Sequence, residues 1–340
     1  MTLCLIPLMG PFHLRFPLYN VVNVREVVAA FAPEALALVP LEPGSLEASA
    51  WQSTPEIALP HTVVPWARRR GLPLYPVAEA SPDPAAPADF WRYAGQYEPL
   101  RNDLHRVEAL LRPLSALLES GLTLERILSE VVPLIREHQL ERERAFGDGP
   151  ATDWLRERLA TVAERILALP EERVAVLASV DHFPFLREAL EDEADIVAPP
   201  PASPSEASRE RSLLDFAFRV DVPDPAELLG QLRELGTPEA RYHAANLFVA
   251  NGHVAEALET LAAASQEDFS TPYYLPGYLL ARLGQLYDLA EERAAALRCY
   301  RGVLALDWAP LEAQQVAAEG LEHPFEGLHD GVADATLKDS

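Results

Sequence analysis

Mostly apolar runs alternate with longer amphipathic segments in the first part of the chain. The runs at 2–9, 35–41, 72–77 and 174–179 lack the in-and-out alternation of a half-exposed strand. Such runs are typical of parallel strands that are covered by helices on both faces. The periodic segment at 20–34 fits a helix between the first two runs, so this region predicts a βαβ unit and a mostly parallel α/β sheet.

Three further helical segments are predicted, at residues 54–71, 100–146 and 152–169. In the first, Thr54 has the character of an N-cap and Pro55 of a first helical residue, while Gly71 ends the helix. The second is a helical insert that Pro113 and Pro133 kink or divide. The proline-containing stretch before it, 79–90, is predicted to be a loop.

The second part of the chain has a different pattern and divides into several segments. We expect an α/β domain at 1–198, a Pro/Ser-rich linker at 199–212, a connecting segment at 213–236, helical repeats at 237–325 and a polar tail at 326–340. Each of the stretches 240–264 and 277–306 has the pattern of two helices with small and large apolar residues at set intervals.

These two stretches resemble the tetratricopeptide (TPR) repeat, whose period is about 34 residues. The second stretch matches at Leu283, Gly284, Tyr287, Ala296 and Tyr300, with Pro310 beyond. The first has Ala245, Phe248, Gly252, Ala257 and Ala264 in the equivalent places. The resemblance implies an all-α array that binds a protein or peptide partner. An unrelated pair of helical hairpins is the alternative.

Charge and composition exclude several classes of protein. Acidic residues outnumber basic ones 52 to 28, a net charge of -24, which would repel a nucleic-acid backbone. No apolar stretch has the length of a membrane helix, and the apolar N-terminus lacks the preceding positive charge of a signal peptide. Cys4 and Cys299 are too few for a disulfide framework. We therefore expect a cytoplasmic protein.

Polar residues follow the predicted strands. The first strand runs out into His13, the second into Glu42, the third into Glu79 and the last into Asp181 and His182. Because ligands bind beyond the carboxyl ends of parallel strands, we expect these groups at one rim. Imidazole acts there as a general base or a metal ligand, and a carboxylate orients it.

Each of these residues also has a purely structural interpretation. His13 can satisfy a backbone group in its loop. His182 can be the polar start of a helix, with Asp181 as its N-cap. Glu42 and Glu79 can be solvated loop carboxylates.

Two short motifs resemble those of a known superfamily. "GPFH" at 10–13 has the form G-x-x-H at the end of a strand, and "SVDHFPFLREAL" at 179–190 is similar to a second such motif followed by a helix. Paired motifs of this kind mark the superfamily of TraB and Tiki proteins, ChaN-like proteins and erythromycin esterase. "AFAPEALALVPLE" resembles its second strand, which normally ends in an important glutamate.

The resemblance implies a hydrolase-like domain in which His13 and His182 act as bases or metal ligands. "ERLATVAERIL" resembles the helix that carries the family's arginine, which puts Arg158 in the role of stabilising negative charge. Glu42 is the candidate for the glutamate. Relatives include metal-dependent proteases and metal-independent esterases, so a divalent metal is left open. Ser179 replaces the glycine of the second motif, and a strict count puts Val39 at the glutamate position.

The sequence therefore supports two hypotheses. One is an ester or amide hydrolase whose rim contains His13, His182, Arg158 and Glu42, with the TPR-like array recruiting a substrate or partner. In this hypothesis, replacing His13 by alanine abolishes activity without unfolding the protein. The other is an inactive α/β scaffold that acts through its TPR-like helices. The two are distinguished by whether His13 and His182 share one pocket.

Overall fold

The computed structural model describes residues 1–47, 49–218 and 224–327. The chain forms two compact units, Met1–Asp215 and Phe216–Ser340. We describe each by itself.

The N-terminal unit is built on one five-stranded parallel sheet. The strands are β1 (Thr2–Leu8), β2 (Ala35–Leu38), β3 (Leu74–Pro76), β4 (Arg173–Ser179) and β5 (Asp195–Val197). Their order in the sheet is β3-β2-β4-β1-β5, and every pairing is parallel. The predicted α/β class with a parallel sheet is confirmed, since the four apolar runs each contain a strand.

Ten helices accompany the sheet within residues 1–47 and 49–218. They are α1 (Val21–Phe31), α2 (Val64–Arg69), α3 (Ala86–Gln96), α4 (Glu98–Ala109), α5 (Arg112–Glu119), α6 (Leu124–Arg126), α7 (Val132–Phe146), α8 (Leu155–Leu167), α9 (Phe183–Leu190) and α10 (Glu206–Phe216). The insert between β3 and β4 is helical as predicted for 100–146, but the loop predicted at 79–90 ends early, because α3 begins at Ala86 with Pro87 in its first turn. Pro113 lies in the first turn of α5, where a proline is tolerated, and divides the insert there. Pro133 instead lies inside one continuous helical run, in which a π-helical turn at Ile127–Val131 joins α6 to α7.

Both faces of the sheet are covered. Leu3 and Leu5 of β1 pack with residues of α8 and α9, whereas Cys4, Ile6 and Leu8 pack with residues of α1 and α2 on the other face. The alternation of faces along the strand is that of any β-strand, but here both faces are buried. This explains why the strands are continuous apolar runs.

The register of the sheet sets the two G-x-x-H-like motifs side by side. Leu8, the last residue of β1, pairs with Ser179, the last residue of β4. Just beyond, the Val180 backbone N–H donates to the Leu8 carbonyl at 2.8 Å. The loops that follow β1 and β4 therefore start at the same level of the sheet.

The predicted helix at 54–71 starts later than expected. A π-helical turn at Leu59–Val63 leads into α2, and Thr54 does not cap either helix. Residues before Leu59 instead bring the Glu56 side chain to the ends of β1 and β4, where it accepts a hydrogen bond from the Gly10 N–H. This long-range contact outweighs the local N-cap pattern.

The predicted linker at 199–212 contains the start of α10. Ser205 and Ser208 bond reciprocally, each side-chain hydroxyl accepting from the other's backbone N–H, and so form the helix start. Asn20 then donates from Nδ2 to the Ser208 carbonyl at 2.8 Å and to the Ser212 hydroxyl at 3.0 Å. α10 therefore belongs to the N-terminal unit, and the boundary between the units falls after Asp215.

The described part of the C-terminal unit is helical. Its helices are α11 (Pro225–Leu235), α12 (Pro238–Ala250), α13 (Val254–Ala264), α14 (Leu275–Leu289), α15 (Arg293–Leu304) and α16 (Leu311–Glu322). The stretches 240–264 and 277–306 each contain two helices, as predicted, and each pair is joined by a short turn. Ala257 and Ala296 are fully buried in these pairs. The predicted tail at 326–340 lies outside the described residues from 328 onward.

One buried tyrosine joins the last three helices. Tyr300 is fully buried, and a Cβ atom on either Gly284 or Gly320 would overlap its ring, so both glycines are required by packing. The Tyr300 hydroxyl donates to Asp288 at 2.9 Å, and the same carboxylate accepts from the Phe325 N–H. Tyr300 of α15 thus packs against Gly284 of α14 and Gly320 of α16 and holds the three helices together.

None of the described helices has both the length and the apolar character that crossing a membrane requires.

Candidate functional site

A pocket of about 140 Å³ lies beyond the carboxyl ends of β2, β3 and β4. Three of the four predicted site residues, Glu42, Arg158 and His182, line it, and so does Glu79. Its apolar wall is formed by Val39, Leu155, Leu159 and Val162. Polar side chains thus lie together at these strand ends, as the strand-end rule predicted for Glu42, Glu79 and His182.

His182 lies between β4 and α9. It is the N-cap residue of α9, although its side chain does not cap the helix. The alternative in which Asp181 is the N-cap is therefore wrong. Its buried Nδ1 has no hydrogen-bond partner among the described residues. Burial, and then the nearby positive charge of Arg158, lower the pKa of His182 to about 4. The imidazole is therefore neutral near pH 7.

Arg158 lies in the first turns of α8 and is fixed at both sides. Its Nε donates to the Glu79 carbonyl at 3.0 Å, and its Nη1 forms an ion pair with the Asp153 carboxylate. Asp153 is held in turn by a hydrogen bond from the Ser81 hydroxyl. Because the side chain is 19% exposed, its positive charge remains partly accessible from the pocket.

The two glutamates differ in their surroundings. Glu79 pairs with Arg165, which also donates to the carbonyls of Val77 and Ala78, so Glu79 is part of a fixed network at the end of β3. Glu42 is exposed and forms no ion pair with any described residue. Of the two, Glu42 alone matches the interpretation as a solvated loop carboxylate, although it lines the pocket.

His13 does not lie in this pocket. It is fully buried in the 3₁₀ turn after β1, where its Nε2 accepts from the Met9 N–H at 3.0 Å and its Nδ1 donates to the Tyr19 carbonyl at 2.8 Å. Since Nε2 faces a donor, the proton must be on Nδ1. Burial lowers the pKa of His13 to about 4, despite the opposing effect of the Tyr19 carbonyl.

The expectation that His13 and His182 share one pocket is therefore wrong. Both ring nitrogens of His13 are used to close its own loop, whereas His182 faces the cavity at the neighbouring strand end. The geometry of His13 matches the alternative in which it satisfies backbone groups of its loop. A catalytic role for the other three residues stays a prediction.

Sequence reasoning missed Glu56. This carboxylate is 6% exposed and accepts from the Gly10 N–H at 2.8 Å and from the Ser179 hydroxyl at 2.5 Å. Burial raises its pKa, the bonds from Ser179 and Gly10 oppose that effect, and Asp181 reinforces it. Glu56 thus connects both motifs. The one signal in the sequence was Ser179 itself, since a hydroxyl in place of the expected glycine needs a partner when half-buried.

The donor groups do not fit the divalent metal that the resemblance left open. Within residues 1–47, 49–218 and 224–327, no three His, Cys, Asp or Glu side chains are grouped closely enough to hold an ion. Both nitrogens of His13 are already engaged. We therefore derive no step through a metal.

The chain was compared with known proteins. No family model, no curated protein and no solved structure matches it. Membership of the G-x-x-H superfamily and of the TPR repeats remains a prediction.

Proposed function

We propose that the N-terminal unit is a hydrolase-like domain that cleaves an ester or amide bond in the pocket of Arg158 and His182. The C-terminal unit is a TPR-like module that binds a protein or peptide partner, and the protein acts in the cytoplasm. The observation that carries the hydrolase proposal is an imidazole with an unpartnered nitrogen beside a fixed guanidinium, in a pocket at the strand ends. Perturbed groups in a cleft are common at active sites.

The reaction uses two side chains. The neutral His182 imidazole takes a proton from water as the water oxygen attacks the carbonyl carbon of the substrate. The carbonyl π electrons move to the oxygen, and the positive charge of Arg158 stabilises that oxyanion. The tetrahedral intermediate then collapses, the bond to the leaving oxygen or nitrogen breaks, and the imidazolium returns the proton to the leaving group.

The test is a screen of chromogenic esters and aryl amides with the full chain and with His182→Gln. Removing a general base lowers turnover by about 10² to 10⁴. His253→Gln is the matched control, because His253 is an exposed histidine of the C-terminal unit. Equal turnover in wild type and His182→Gln contradicts the assigned role, and no turnover of any ester or amide contradicts the hydrolase proposal.

The second candidate is an inactive scaffold, and the geometry of the two motifs favours it. His13 is sealed in its loop, and Ser179 donates to Glu56, so two motif residues serve the fold. In this case the chain has no esterase or amidase turnover and still binds a partner. The screen above distinguishes the two candidates.

Partner binding by the C-terminal unit is supported by its helix pairs and by a pocket between α11, α12 and α13. This pocket of about 280 Å³ is lined by Arg233, Arg241 and Phe248 among others. Arg241 is paired with Glu267 and Glu259 also lines the pocket, so Arg233, which lies over the Phe248 ring, is the positive charge offered to an acidic peptide. Full-length bait carrying Arg233→Glu and Arg241→Glu is expected to lose acidic partners, whereas Arg298→Glu, on exposed α15 surface, keeps them. If both baits capture the same acidic partners in the same amounts, this pocket is not the binding surface.

A further inference from the structure

A second pocket of about 360 Å³ adjoins the first. Both are bounded by Glu79, Ala80 and Arg158, so they form one cleft. His182 lines only the first part, and Trp154 and Glu157 line only the second. Trp154 is the N-cap residue of α8 and Glu157 lies in the first turn of that helix, and both line this second pocket. The cleft therefore has a reactive end at His182 and a second end at Trp154.

The backbone holds Trp154 in an unusual conformation. Trp154 has φ of 50° and Asp153 has φ of 55°, the left-handed region that a bulky residue rarely adopts. Three hydrogen bonds fix this turn: Trp154 N–H to the Gly149 carbonyl at 3.1 Å, Gly149 N–H to the Thr152 hydroxyl at 3.0 Å, and that hydroxyl to Asp148 at 2.7 Å. The turn thereby keeps the indole half-buried at the edge of the cleft.

Negative charge remains in the cleft after its ion pairs are formed. Two pairs cancel internally, Arg158 with Asp153 and Glu79 with Arg165. Glu42 and Glu157 are exposed and have no ion-pair partner among the described residues. The lining and its paired groups thus carry two carboxylates without an ion-pair partner in the described part of the chain, Glu42 in the first pocket and Glu157, together with Trp154, in the second.

We propose that the cleft binds a ligand with a cationic group, an alkylammonium or guanidinium, between the Trp154 indole and the Glu157 carboxylate. An aromatic face beside a carboxylate is the arrangement that attracts a desolvated cation. The positive end of α8 opposes a cation there, but it is equivalent to about half a unit charge, which is less than the full negative charge of Glu157. At the other end, the unpartnered Nδ1 of His182 leaves a polar group without a partner in the chain. That the ester or amide of the same ligand lies at His182 rests on the proposed function.

The first experiment measures binding of choline to the full chain by calorimetry, beside its neutral isostere 3,3-dimethylbutan-1-ol. The two molecules have the same shape, so their difference reports the charge. Choline is expected to bind about tenfold more tightly than the alcohol, and added salt weakens choline alone. Equal affinities, or no binding of choline, overturn the proposal.

Variants then locate the site. Glu157→Gln removes the charge at nearly constant volume and is expected to weaken choline about tenfold without changing the alcohol. Glu164→Gln is the matched control, an exposed glutamate farther along α8 that does not line the cleft. Trp154→Leu tests the indole, with thermal unfolding recorded to show that the variant is folded. Choline binding that survives both Glu157→Gln and Trp154→Leu overturns the proposed site.

The outcome is independent of turnover. Selective choline binding by a chain that hydrolyses no ester or amide leaves this site in place and overturns the proposed hydrolase. Hydrolysis of neutral esters by a chain that does not prefer choline over the alcohol supports the proposed hydrolase and overturns the cation site.

Discussion

His13 and His182 follow neighbouring parallel strands that end at the same level of the sheet, yet their side chains have different surroundings. Both ring nitrogens of His13 form hydrogen bonds to backbone groups of its own loop. The buried Nδ1 of His182 has no hydrogen-bond partner among the described residues, and the ring lines a pocket. Burial lowers the pKa of both to about 4. The difference teaches that a lowered pKa marks burial, and that the hydrogen-bond partners of the ring are what separate a histidine that closes its own loop from one that lines a pocket.

The largest effect is expected for His13→Ala. The substitution leaves the Met9 N–H and the Tyr19 carbonyl without their partners and opens a cavity at a fully buried site, so it destabilises the protein by about 4 kcal/mol. Urea unfolding at pH 7.5 measures this free energy. His182→Ala is the comparison and changes it by about 1 kcal/mol or less. Equal losses of unfolding free energy in His13→Ala and His182→Ala would contradict the view that only His13 stabilises the fold.

The pH dependence gives the next largest effect. Because the folded-state pKa of His13 is lowered from 6.5 to about 4, its stabilising contribution is complete above pH 6.5 and is lost as pH falls towards 4. The destabilisation caused by His13→Ala therefore shrinks by about 2 kcal/mol between pH 7.5 and pH 4.5. Paired urea titrations at both pH values check this. A difference that is constant with pH contradicts the neutral state of His13.

Arg158→Met sharpens the other side of the comparison. If the proposed hydrolysis takes place, loss of the positive charge of Arg158 is expected to lower kcat about a hundredfold, with a smaller change in KM, because in that reaction the charge acts on the oxyanion. Steady-state kinetics on an ester found in the screen measure both constants. Arg187→Met on α9 is the control, since Arg187 does not line the pocket. A change in KM alone would assign Arg158 to binding rather than to the oxyanion.

The smallest effect is expected for Glu42→Gln. Glu42 is exposed and has no ion-pair partner among the described residues. We therefore expect turnover of a neutral ester to change about threefold or less, and the free energy of unfolding to change by about 0.5 kcal/mol or less. The same kinetics and urea titration apply. A hundredfold loss of turnover would place Glu42 in the reaction beside His182.

Strands β1 to β4 were predictable because each lies in a mostly apolar run. Strand β5 was not, because it has three residues and begins with the exposed Asp195. The placement of Glu42, Glu79 and His182 at one pocket followed from the rule for strand ends, whereas Arg158, on α8, was suggested only by the resemblance. Glu56 was not predictable, since its local sequence has the pattern of a helix start while its partners, Gly10 and Ser179, are distant in the chain. Long-range contacts of this kind leave no periodic pattern.

The separation of His13 from His182 was also beyond the sequence. Both follow a strand in a G-x-x-H-like motif, but Gly10 leads into a 3₁₀ turn that folds His13 back onto Met9, whereas β4 passes almost directly into α9. The start of α10 was hidden for a different reason, because its prolines and serines have linker composition although Ser205 and Ser208 form a helix start.

The contact between Asn20 and α10 has a consequence for synthesis. Asn20 caps α1 through its Oδ1, and its Nδ2 is fixed by Ser208 and Ser212. On the ribosome these bonds cannot form until Ser212 has left the exit tunnel. The first helix to emerge is therefore among the last to be fully anchored, and an mRNA truncated within the proline-rich stretch would yield a nascent chain with that anchor missing.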